Sequence, residues 1–579
     1  MNKSSVEVED ATEGERAAPT LSPNARFALE VAGCVLILIA GLVPRMRDFG
    51  AGFDREFEGF QGAFFALSAV NYERLGVGRY LGYPVQNIDE LGQDELGTPS
   101  VTLYANHPPA VPLVAWLAAK TMGPSGWNTA WQDGRAPEGL EPALRFPFLL
   151  AHLACLVLAY LAVRAAAGPQ RALIALAVLV ATPVSILYAT LINYENPALA
   201  FVFAAALFHV RYLKSGRRSD LVGYGLSALF GCATTFFHLF FLPFFFVQAF
   251  LRDKRRAFAL ALAATAGLLV PLGLHAGMSA RAFGEIGASP SLLSERVGQM
   301  LAPLVDGSIP VSQWASFQVE RSLRFLSEPI FALAALGVLL AAIAGLRSRK
   351  ARDDKQPIEL TLPLLGGGLL LLFVMYRHTA DGWNGGDGQV PFLMYLLPGV
   401  ATACALFFDR LAGPLAKLRG GLAPLVVAVS LVALPGLERA NSLRRPLREP
   451  GPRDDSSLTE GPAAPLPETM GAELAELIPA GEFAIYPRVL GLTPAHLYYA
   501  WRTLLPVDPS DPSSINYATA KLAERGRDAW LLLPRSAEGE LAVMSAALFD
   551  TVQTALPGLH RERPDREVEH WLAWRIASE

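Results

Sequence analysis

The sequence from Asp54 to Tyr72 reads DREFEGFQGAFFALSAVNY and opens a polar interruption that extends to Arg145. Its start holds three carboxylates within five residues, those of Asp54, Glu56 and Glu58. One apolar segment precedes the interruption and many follow it, so the acids fall at the mouth of a membrane bundle. Ionisable groups are costly to desolvate there and are commonly functional. The stretch therefore predicts a functional site, with the rest of the chain as its scaffold.

The composition is that of an integral membrane protein. Of the 579 residues, 52% are hydrophobic and only 18% are charged, which is too apolar for a water-soluble multidomain protein. The formal net charge of −4 leaves no basic footprint for nucleic acid, so that class of partner is excluded. The four cysteines stand in different apolar runs, which is typical of small packing residues and predicts neither a disulfide framework nor a metal site.

The apolar runs predict an α-helical polytopic protein with about eleven transmembrane helices, the first of them long enough to cross a hydrocarbon core of ~30 Å. The polar, acidic residues 1–25 predict a disordered cytoplasmic tail, and 26–436 form the predicted membrane domain. The predicted spans are 27–43, 144–165, 171–190, 197–213, 221–236, 237–251, 257–275, 329–346, 360–376, 390–408 and 421–436.

Clusters of Arg and Lys fall on alternate loops between these spans. They occupy 211–218, 252–256, 347–352 and 410–419, and the positive-inside rule places all four in the cytoplasm. The outer face then carries the first loop 46–143, the Tyr194-Glu195 turn, the loops 276–328 and 376–389, and everything after 437. Arg45 and Arg47, just after the first span, disagree with this orientation. We expect a plasma-membrane protein whose active face is extracytoplasmic.

Three segments outside the spans have the spacing of amphipathic helices. Phe57–Leu75 predicts a helix lying along the membrane interface, and Ser291–Leu304 predicts a second one. The apolar run within His107–Gly123 is short for a span, and counting it as one inverts every later loop. It is therefore predicted to be a juxtamembrane or re-entrant helix.

The C-terminal part predicts a small α/β domain on the outer face. A linker rich in Pro and Arg covers 437–467, and the domain covers 468–579. Short apolar strands are expected at Phe483–Tyr486, Trp530–Leu533 and Trp571–Ile576. They alternate with helical patterns at 468–478, 515–525 and 538–555.

Several short segments resemble one enzyme family. They are Ala66–Tyr72 behind the acidic cluster, His107-Pro108-Pro109, Leu144–Pro147, and Ile186–Tyr188 through Glu195, all within roughly the first 215 residues. In their order they are similar to polyprenyl-phosphate-sugar-dependent glycosyltransferases of the protein O-mannosyltransferase and aminoarabinose transferase type, a family-39-like branch of the C-type superfamily. The resemblance implies a C-type glycosyltransferase fold, a lipid-phosphate sugar donor, and a catalytic acid in the first outer loop.

The sequence departs from the family at the position of that acid. Family members carry an Asp-Glu pair before the Tyr-Ala and Ala-Arg-Asn-like stretches, whereas the corresponding residues here are Gln61 and Gly62. A glutamine cannot act as a general base. Asp54, Glu56 and Glu58 lie just upstream, and Asp54, Glu58 and Gln61 follow one another at helical-turn spacing.

Sugar transfer from a lipid phosphate assigns roles to these residue types. A carboxylate takes the proton of the attacking acceptor, so the candidate catalytic residues are Asp54, Glu56 and Glu58. Groups that bond the sugar or offset charge on the departing phosphate are also needed. The candidate substrate-binding residues are Gln61, His107, Glu195, Arg281, Arg321, Arg377, His378 and Trp383. No cofactor or metal is expected; the partners are the lipid bilayer, the donor, and a lipid, glycan or protein acceptor.

Plainer interpretations stay open for these residues. Asp54 suits an N-cap, with Glu56 and Glu58 complementing the helix dipole. Asn106 before His107-Pro108-Pro109 suits a capped helix start. Glu195 suits a first-turn acid, and the loop arginines suit solvated charges. The loop that contains Trp383 suits either a substrate lid or a connecting turn, and His238 suits a satisfied packing residue.

Two alternative functions also stay open. A flippase or transporter would show internal repeats and charges or broken helices at mid-membrane, whereas the sequence places its acids at the outer rim. A catalytically inactive relative, acting as an assembly or binding protein, is favoured by Gln61-Gly62. The role of Glu58 separates this alternative from the enzyme.

Overall fold

The computed structural model describes most of the chain and shows a helical membrane protein with a small C-terminal sheet. The residues it describes are 22–47, 49–53, 57–85, 104–130, 137, 139–285, 293–348, 358–380, 390–419, 423–448, 467–479, 482–487, 503–507, 516, 529–535, 539–555, 564–568 and 570–576. All structural statements below concern these residues.

Sixteen α-helices follow one another between Pro23 and Arg448 in the described residues. They are α1 Pro23–Met46, α2 Phe57–Leu75, α3 Ala110–Met122, α4 Glu141–Ala167, α5 Pro169–Ala181, α6 Pro183–Leu187, α7 Glu195–Ser215, α8 Arg218–Thr234, α9 Leu242–Arg252, α10 Lys254–Glu285, α11 Leu293–Val305, α12 Val311–Leu326, α13 Glu328–Ser348, α14 Thr361–Val374, α15 Leu397–Arg419 and α16 Ala423–Arg448. Two 3₁₀ helices, Phe236–Phe240 and Val390–Leu396, interrupt the series.

Helices occupy most of every predicted span. Within the described residues, five are long and apolar enough to cross a membrane by themselves, namely Pro23–Met46, Glu141–Ala167, Glu195–Ser215, Lys254–Gly284 and Val390–Leu411. Helices α12 and α13, bent by 117° at their junction, make a sixth if they form one span. Shorter apolar helices cover 169–181, 236–252 and 361–374. The total of eleven spans stays a prediction.

The spans pack closely because glycines bring their backbones together. A Cβ at Gly337 of α13 would lie 2.0 Å from the carbonyl oxygen of Ala403 on α15. At Gly436 of α16 it would lie 2.1 Å from the carbonyl oxygen of Ala181 on α5. Such small residues drive helix association in lipid, where the hydrophobic effect between helices is absent.

Helix α2 differs from its predicted form. Its bounds, Phe57–Leu75, are those predicted, but every residue from Gly62 to Tyr72 is buried, so the helix has no exposed face to lay on a membrane surface. Helices α3 and α4 pack against it. The exposed apolar side chains are on α3 instead, at Val114, Leu117 and Met122.

Arg45 does not disagree with the predicted orientation after all. Its side chain is 2% exposed and donates hydrogen bonds inside the helix bundle, including one to the carbonyl oxygen of Gly41. A buried arginine with partners is part of the packed interior, and the positive-inside rule counts only charges in loops. Arg47 is exposed and bonds Asn441 of α16.

The C-terminal residues form a five-stranded sheet. Its strands are β1 Phe483–Pro487, β2 Thr503–Val507, β3 Ala529–Pro534, β4 Arg566–Glu567 and β5 Trp571–Ile576, in the order β2-β1-β3-β5-β4. β1 pairs in parallel with β2 and β3, whereas β5 is antiparallel to β3 and β4. The three predicted strands are present as β1, β3 and β5, and β2 and β4 are additions.

Two helices flank this sheet. α17 covers Pro467–Leu477 and packs with the face that carries Trp530 and Trp571; α18 covers Gly539–Ala555 and packs with the opposite face. Both helices were predicted. The third predicted helix, 515–525, lies outside the described residues except for 516, and the domain boundaries stay a prediction.

We predict that Gly337→Ala destabilises the bundle by about 1–3 kcal/mol, because the added methyl group meets a backbone carbonyl that cannot turn away. Gly273→Ala is the matched control, since nothing lies within 4 Å of a Cβ there. Thermal unfolding of the purified chain in detergent measures both. Equal midpoints for the two variants would contradict the close approach of α13 and α15.

Candidate functional site

The acidic cluster precedes α2, and only part of it is described. Asp54, Glu56 and Trp383 lie outside the described residues. Glu58 occupies the first turn of α2, and Gln61, half-buried, follows one turn later. Positions 58, 61 and 65 share one face of the helix by its 3.6-residue period. The ring of Phe65 contacts that of Tyr194, at 5.9 Å between centroids, so this face of α2 points to the start of α7.

Arg145 of α4 holds the segment immediately before the acidic cluster. Its Nη1 donates to the carbonyl oxygens of Phe49, at 3.2 Å, and Ala51, and its Nη2 donates to that of Gly52 at 3.3 Å. Its guanidinium carbon lies 5.3 Å from the ring centroid of Phe53, which is 1% exposed. These contacts therefore hold the backbone in place immediately before the acidic cluster.

Phe53 gives a steric reason for the departure at Gln61-Gly62. A Cβ at position 62 would lie 2.3 Å from the Cε1 atom of Phe53. Contacts below 3 Å force a displacement, so a glutamate at position 62 is incompatible with the observed place of this ring. Phe53 thus fills the space beside α2 that a side chain at position 62 would need.

A group of rings joins α2 to the interior of the bundle. His107 lies 4.2 Å from Tyr194 and 5.1 Å from Phe237 between ring centroids, and Phe237 lies 5.3 Å from Phe392 and 5.6 Å from Tyr395. We call this group the central aromatic cluster; its members are Phe65, Tyr104, His107, Tyr194, Phe237, Phe392 and Tyr395.

His107 belongs to this cluster rather than to a helix cap. Helix α3 begins at Ala110 after Pro109, and no side chain caps it, so the interpretation of Asn106 as its N-cap is wrong. The Nδ1 atom of His107 lies 3.2 Å from the hydroxyl oxygen of Thr235, at the break between α8 and the first 3₁₀ helix. The imidazole is half-buried.

Glu195 lies at the edge of the same cluster. It is the first residue of α7, as the first-turn interpretation predicted, and its side chain is 2% exposed. Its Oε2 atom is buried and makes no hydrogen bond within the described structure, and the carboxyl group interacts electrostatically with Tyr395. A carboxyl group in these surroundings is available to a polar ligand.

Polar atoms of cluster residues and of their neighbours in the sequence are also buried without hydrogen bonds. In the described structure they are the hydroxyl group of Tyr395, both ring nitrogens of His238 and the Oδ1 atom of Asn193. Each such atom costs about 1–3 kcal/mol, and a concentration of them calls for an explanation such as a ligand. The prediction that His238 is a satisfied packing residue is wrong as regards its hydrogen bonds. Its place between phenylalanines in the sequence gave no signal of this.

The predicted cationic residues separate into buried and exposed ones. Arg321 of α12 is 1% exposed; its Nη2 donates to Oε1 of Gln318 at 2.6 Å, and its guanidinium lies over the ring of Phe317 at 5.5 Å. Helix α12 packs against α6 and Val390–Leu396, next to the central aromatic cluster. Arg281 of α10 and Arg377 are exposed, so only Arg321 among these arginines is carried into the interior.

The turn 375–380 is fastened to α12. Gln318 donates from Nε2 to the carbonyl oxygen of Thr379 at 2.7 Å, and Trp314 donates from Nε1 to the Thr379 hydroxyl at 3.0 Å. Burial, together with the charge of Arg377, lowers the pKa of His378 in this turn to about 4. His378 is therefore neutral near pH 7 and offers hydrogen bonds rather than a positive charge.

No three His, Cys, Asp or Glu side chains come together as possible metal ligands anywhere in the part of the chain that the structure describes. The described site instead combines aromatic rings, one buried guanidinium and one buried carboxyl group. Such a set suits a substrate with hydroxyl groups and an anionic portion. Metal independence stays a prediction.

Comparisons with known proteins agree with the resemblance seen in the sequence. Residues 138–276, from α4 into α10, match the profile of the family described as dolichyl-phosphate-mannose-protein mannosyltransferase. No curated protein sequence matches the chain.

Solved structures match over nearly the whole chain. ArnT from Cupriavidus metallidurans bound to undecaprenyl phosphate has a TM-score of 0.52 at 12% identity, over 95% of this chain and 98% of ArnT. Its apo state has a TM-score of 0.51 at 12% identity, over 96% and 99%. The oligosaccharyltransferase AglB from Archaeoglobus fulgidus, in complex with an inhibitory peptide and a dolichol-phosphate, has a TM-score of 0.50 at 12% identity, over 87% and 69%.

These likenesses confirm the predicted fold. The chain has the C-type glycosyltransferase fold, a polytopic helical membrane domain followed by a small α/β part. The resemblance recognised in the sequence, to polyprenyl-phosphate-sugar-dependent glycosyltransferases of this type, is confirmed as well.

We predict that Arg145→Met loosens the segment that leads into the acidic cluster, because methionine cannot donate to the carbonyl oxygens of Phe49, Ala51 and Gly52. Hydrogen–deuterium exchange of peptides covering 49–53 should speed up by about tenfold or more, as expected for loss of hydrogen bonds worth about 1–3 kcal/mol. Arg47→Met is the control, since Arg47 is exposed and bonds Asn441 at 3.3 Å. Unchanged exchange in Arg145→Met would show that the segment is held by other contacts.

Proposed function

We propose that this protein is a membrane glycosyltransferase that moves a sugar from a polyprenyl-phosphate donor to an acceptor on the outer face of the plasma membrane. The observation that carries the proposal is the set of buried polar atoms without hydrogen bonds around the central aromatic cluster. The fold supports the proposal, because this chain is similar in structure to nearly the whole of ArnT, and one ArnT structure holds bound undecaprenyl phosphate.

The cluster suits a sugar. Aromatic rings present flat apolar faces to the C–H groups of a pyranose or pentose, while Glu195, Tyr395 and His238 supply polar atoms that make no hydrogen bond within the described structure. Pockets for small molecules combine such apolar walls with a few convergent polar groups. Glu195 repels a phosphate, so we assign it to the sugar or acceptor hydroxyls.

Arg321 is assigned to the opposite end of the donor. It is the predicted cationic residue that the structure buries beside α6 and Val390–Leu396, whereas Arg281 and Arg377 face outward. A guanidinium offers planar donors that match phosphate oxygens, and it keeps its charge in a buried place. We infer that it, or a neighbour that it orients such as Gln318, offsets charge on the departing lipid phosphate.

The reaction needs a base near the acceptor. In the proposed step the acceptor oxygen or nitrogen bonds the anomeric carbon as the bond to the phosphate oxygen breaks. The acceptor proton passes to a carboxylate of the acidic cluster, and polyprenyl phosphate leaves with the bonding electrons. Asp54, Glu56 and Glu58 are the candidates, and attack opposite the leaving phosphate inverts the anomeric centre.

A second candidate function, that of an inactive relative with a binding or assembly role, is favoured by Gln61-Gly62. The packing of Phe53 beside Gly62 weakens this alternative. It explains the absence of a carboxylate at position 62 by space rather than by loss of chemistry, and it leaves three acids on the same approach to α2.

We predict that one of the variants Asp54→Asn, Glu56→Gln and Glu58→Gln loses sugar transfer by about 100-fold or more, as expected for removal of a general base. The assay uses membranes with equal amounts of each variant and a panel of labelled polyprenyl-phosphate sugars. The other two variants serve as controls for local charge, because each removes one negative charge from the same cluster.

The outcomes separate the possibilities. Loss in a single variant that still binds undecaprenyl phosphate identifies the base. Full transfer in all three moves the base to another carboxylate, and Glu195 is then tested next. No transfer by the wild-type chain with every donor of the panel would overturn the enzyme proposal in favour of the inactive relative or a flippase.

We also predict that Glu195→Gln lowers transfer by about tenfold or more while its free energy of unfolding changes by about 1 kcal/mol or less. Within the described structure Oε2 has no hydrogen bond to lose, so the substitution spares the fold, but it removes an acceptor meant for the substrate. Glu30→Gln is the control, because Glu30 binds Arg164 on the predicted cytoplasmic side. Wild-type transfer by Glu195→Gln would remove this residue from the site.

A further inference from the structure

A chain of buried side chains links α1 to the start of α7. The Nε atom of Arg45 donates to Nε2 of His152 at 3.0 Å, and Nδ1 of His152 lies 2.9 Å from Oδ1 of Asn196. All three side chains are at most 2% exposed. Arg45 further donates to the carbonyl oxygen of Val180 at 3.1 Å and to the hydroxyl of Ser185 at 2.8 Å. The hydrogen bonds of Arg45 therefore connect residues on both sides of the break between α5 and α6.

The hydrogen bonds fix one form of His152. An arginine can only donate, so Nε2 of His152 must be the acceptor and Nδ1 must carry the proton. The amide nitrogen of Asn196 donates to the carbonyl oxygens of Tyr188, at 2.9 Å, and Ala189, at 3.2 Å. This directs Oδ1 of Asn196 toward His152. Each donor nitrogen of these three side chains thus meets at least one acceptor, and a charged His152 would place an N–H group against Arg45.

Asn196 ends this chain at the wall of the proposed site. Its amide nitrogen bonds to both carbonyl groups at the start of the turn 188–194, so the turn is closed against the first turn of α7. The two residues just before Asn196 are Tyr194, which stacks near His107, and Glu195, with its unbonded oxygen. The position of both side chains follows from the backbone of this turn.

Close approach of the helices makes the connection stiff. A Cβ at Gly41 of α1 would lie 2.4 Å from the Cγ1 atom of Val180, so α1 rests directly on α5 at the level of Arg45. A buried network in which every group has a partner is rigid, and its breakage leaves uncompensated polar groups. Displacements of about 1 Å at a site can cost about 100-fold in rate.

We propose that Arg45, His152 and Asn196 are positioning residues that hold Tyr194 and Glu195 in place for catalysis, although none of them lies in the central aromatic cluster. This inference rests on the proposed glycosyltransferase function for its effect on rate. Its structural part, the fixing of the turn 188–194, does not depend on that function.

The test compares four variants of the full chain in lipid nanodiscs. His152→Phe removes both hydrogen bonds, Asn196→Ala frees the turn, and His152→Gln retains one donor and one acceptor. His209→Phe is the matched control, since His209 is a buried span histidine 2.9 Å from Gln248, near the predicted cytoplasmic end of α7. Hydrogen–deuterium exchange reports on 188–194 without any substrate, and labelled polyprenyl-phosphate sugars report on transfer.

We expect exchange of 188–194 to speed up by about tenfold or more in His152→Phe and Asn196→Ala. In both variants kcat should fall by about 100-fold while KM for the donor stays within about threefold of wild type. His152→Gln should recover most of both properties, and His209→Phe should change neither.

Two results would overturn the proposal. One is wild-type exchange of 188–194 in both His152→Phe and Asn196→Ala, which would show that the network does not hold the turn. The other is an equal loss of kcat in His209→Phe, which would show a general effect of removing a buried histidine. If the wild-type chain transfers no sugar from the panel, the proposed function fails, and the exchange measurement alone decides whether the network fixes the turn.

Discussion

The structure depends on one constraint, that polar groups inside a membrane bundle must find partners within the protein. An α-helix bonds most of its own backbone groups, yet the backbone departs from the α-helical form near Thr182, along 188–194 and near Thr235. It is a 3₁₀ helix along Val390–Leu396. Such backbone is tolerated at membrane depth only where protein surrounds it. Side chains supply the missing partners here: Asn196 bonds the carbonyl groups of Tyr188 and Ala189, and Thr235 accepts from the amide of Phe237. The breaks are also where the central aromatic cluster forms. The irregular backbone and the candidate site thus occupy the same place for a physical reason. Irregular backbone costs free energy in a membrane protein, and the site that it forms accounts for its presence.

The approach to the acidic cluster follows the same principle. Arg145 is buried, and its Nη1 and Nη2 atoms donate hydrogen bonds to carbonyl oxygens of the segment 49–52, which is not helical. That capture sets Phe53 against Gly62, and this contact in turn excludes a larger residue at position 62. The contacts of one buried arginine therefore account for the position of Phe53, and Phe53 leaves no space for a side chain at position 62. The two features are 83 residues apart in the sequence and cannot be connected by inspection of either motif.

The sequence predicts single helices and strands well, but it does not show contacts between residues that are far apart in the chain. Long apolar runs predicted segments that the structure shows to be mostly helical, and short apolar runs predicted three strands of the sheet. β2 was missed because Pro506 interrupts its pattern, which a strand tolerates at the edge of a sheet, where β2 lies. The amphipathic interpretation of α2 was wrong because its surroundings, α3 and α4, determine burial. Arg45 looked like a loop charge because its partner His152 is 107 residues away. Of the candidate site, His107, Glu195 and Arg321 were proposed from residue type and position and stay predictions, whereas the unbonded nitrogens of His238 and the hydroxyl of Tyr395 required the packed structure.

The contrast between the two polar groups in this bundle explains how such a site is built. In the Arg45–His152–Asn196 network each donor nitrogen meets an acceptor, as expected of a rigid support. Glu195, one residue from the end of that network, has an oxygen that makes no hydrogen bond in the described structure, and the same holds for the hydroxyl group of Tyr395 and both ring nitrogens of His238. If stability alone determined these positions, apolar residues of similar size would be better at each of them, because an unsatisfied buried group costs about 1–3 kcal/mol. The hydrogen-bonded network and the unbonded groups can be neighbours because the network holds the unbonded groups in place. A ligand then supplies the hydrogen bonds that these groups lack.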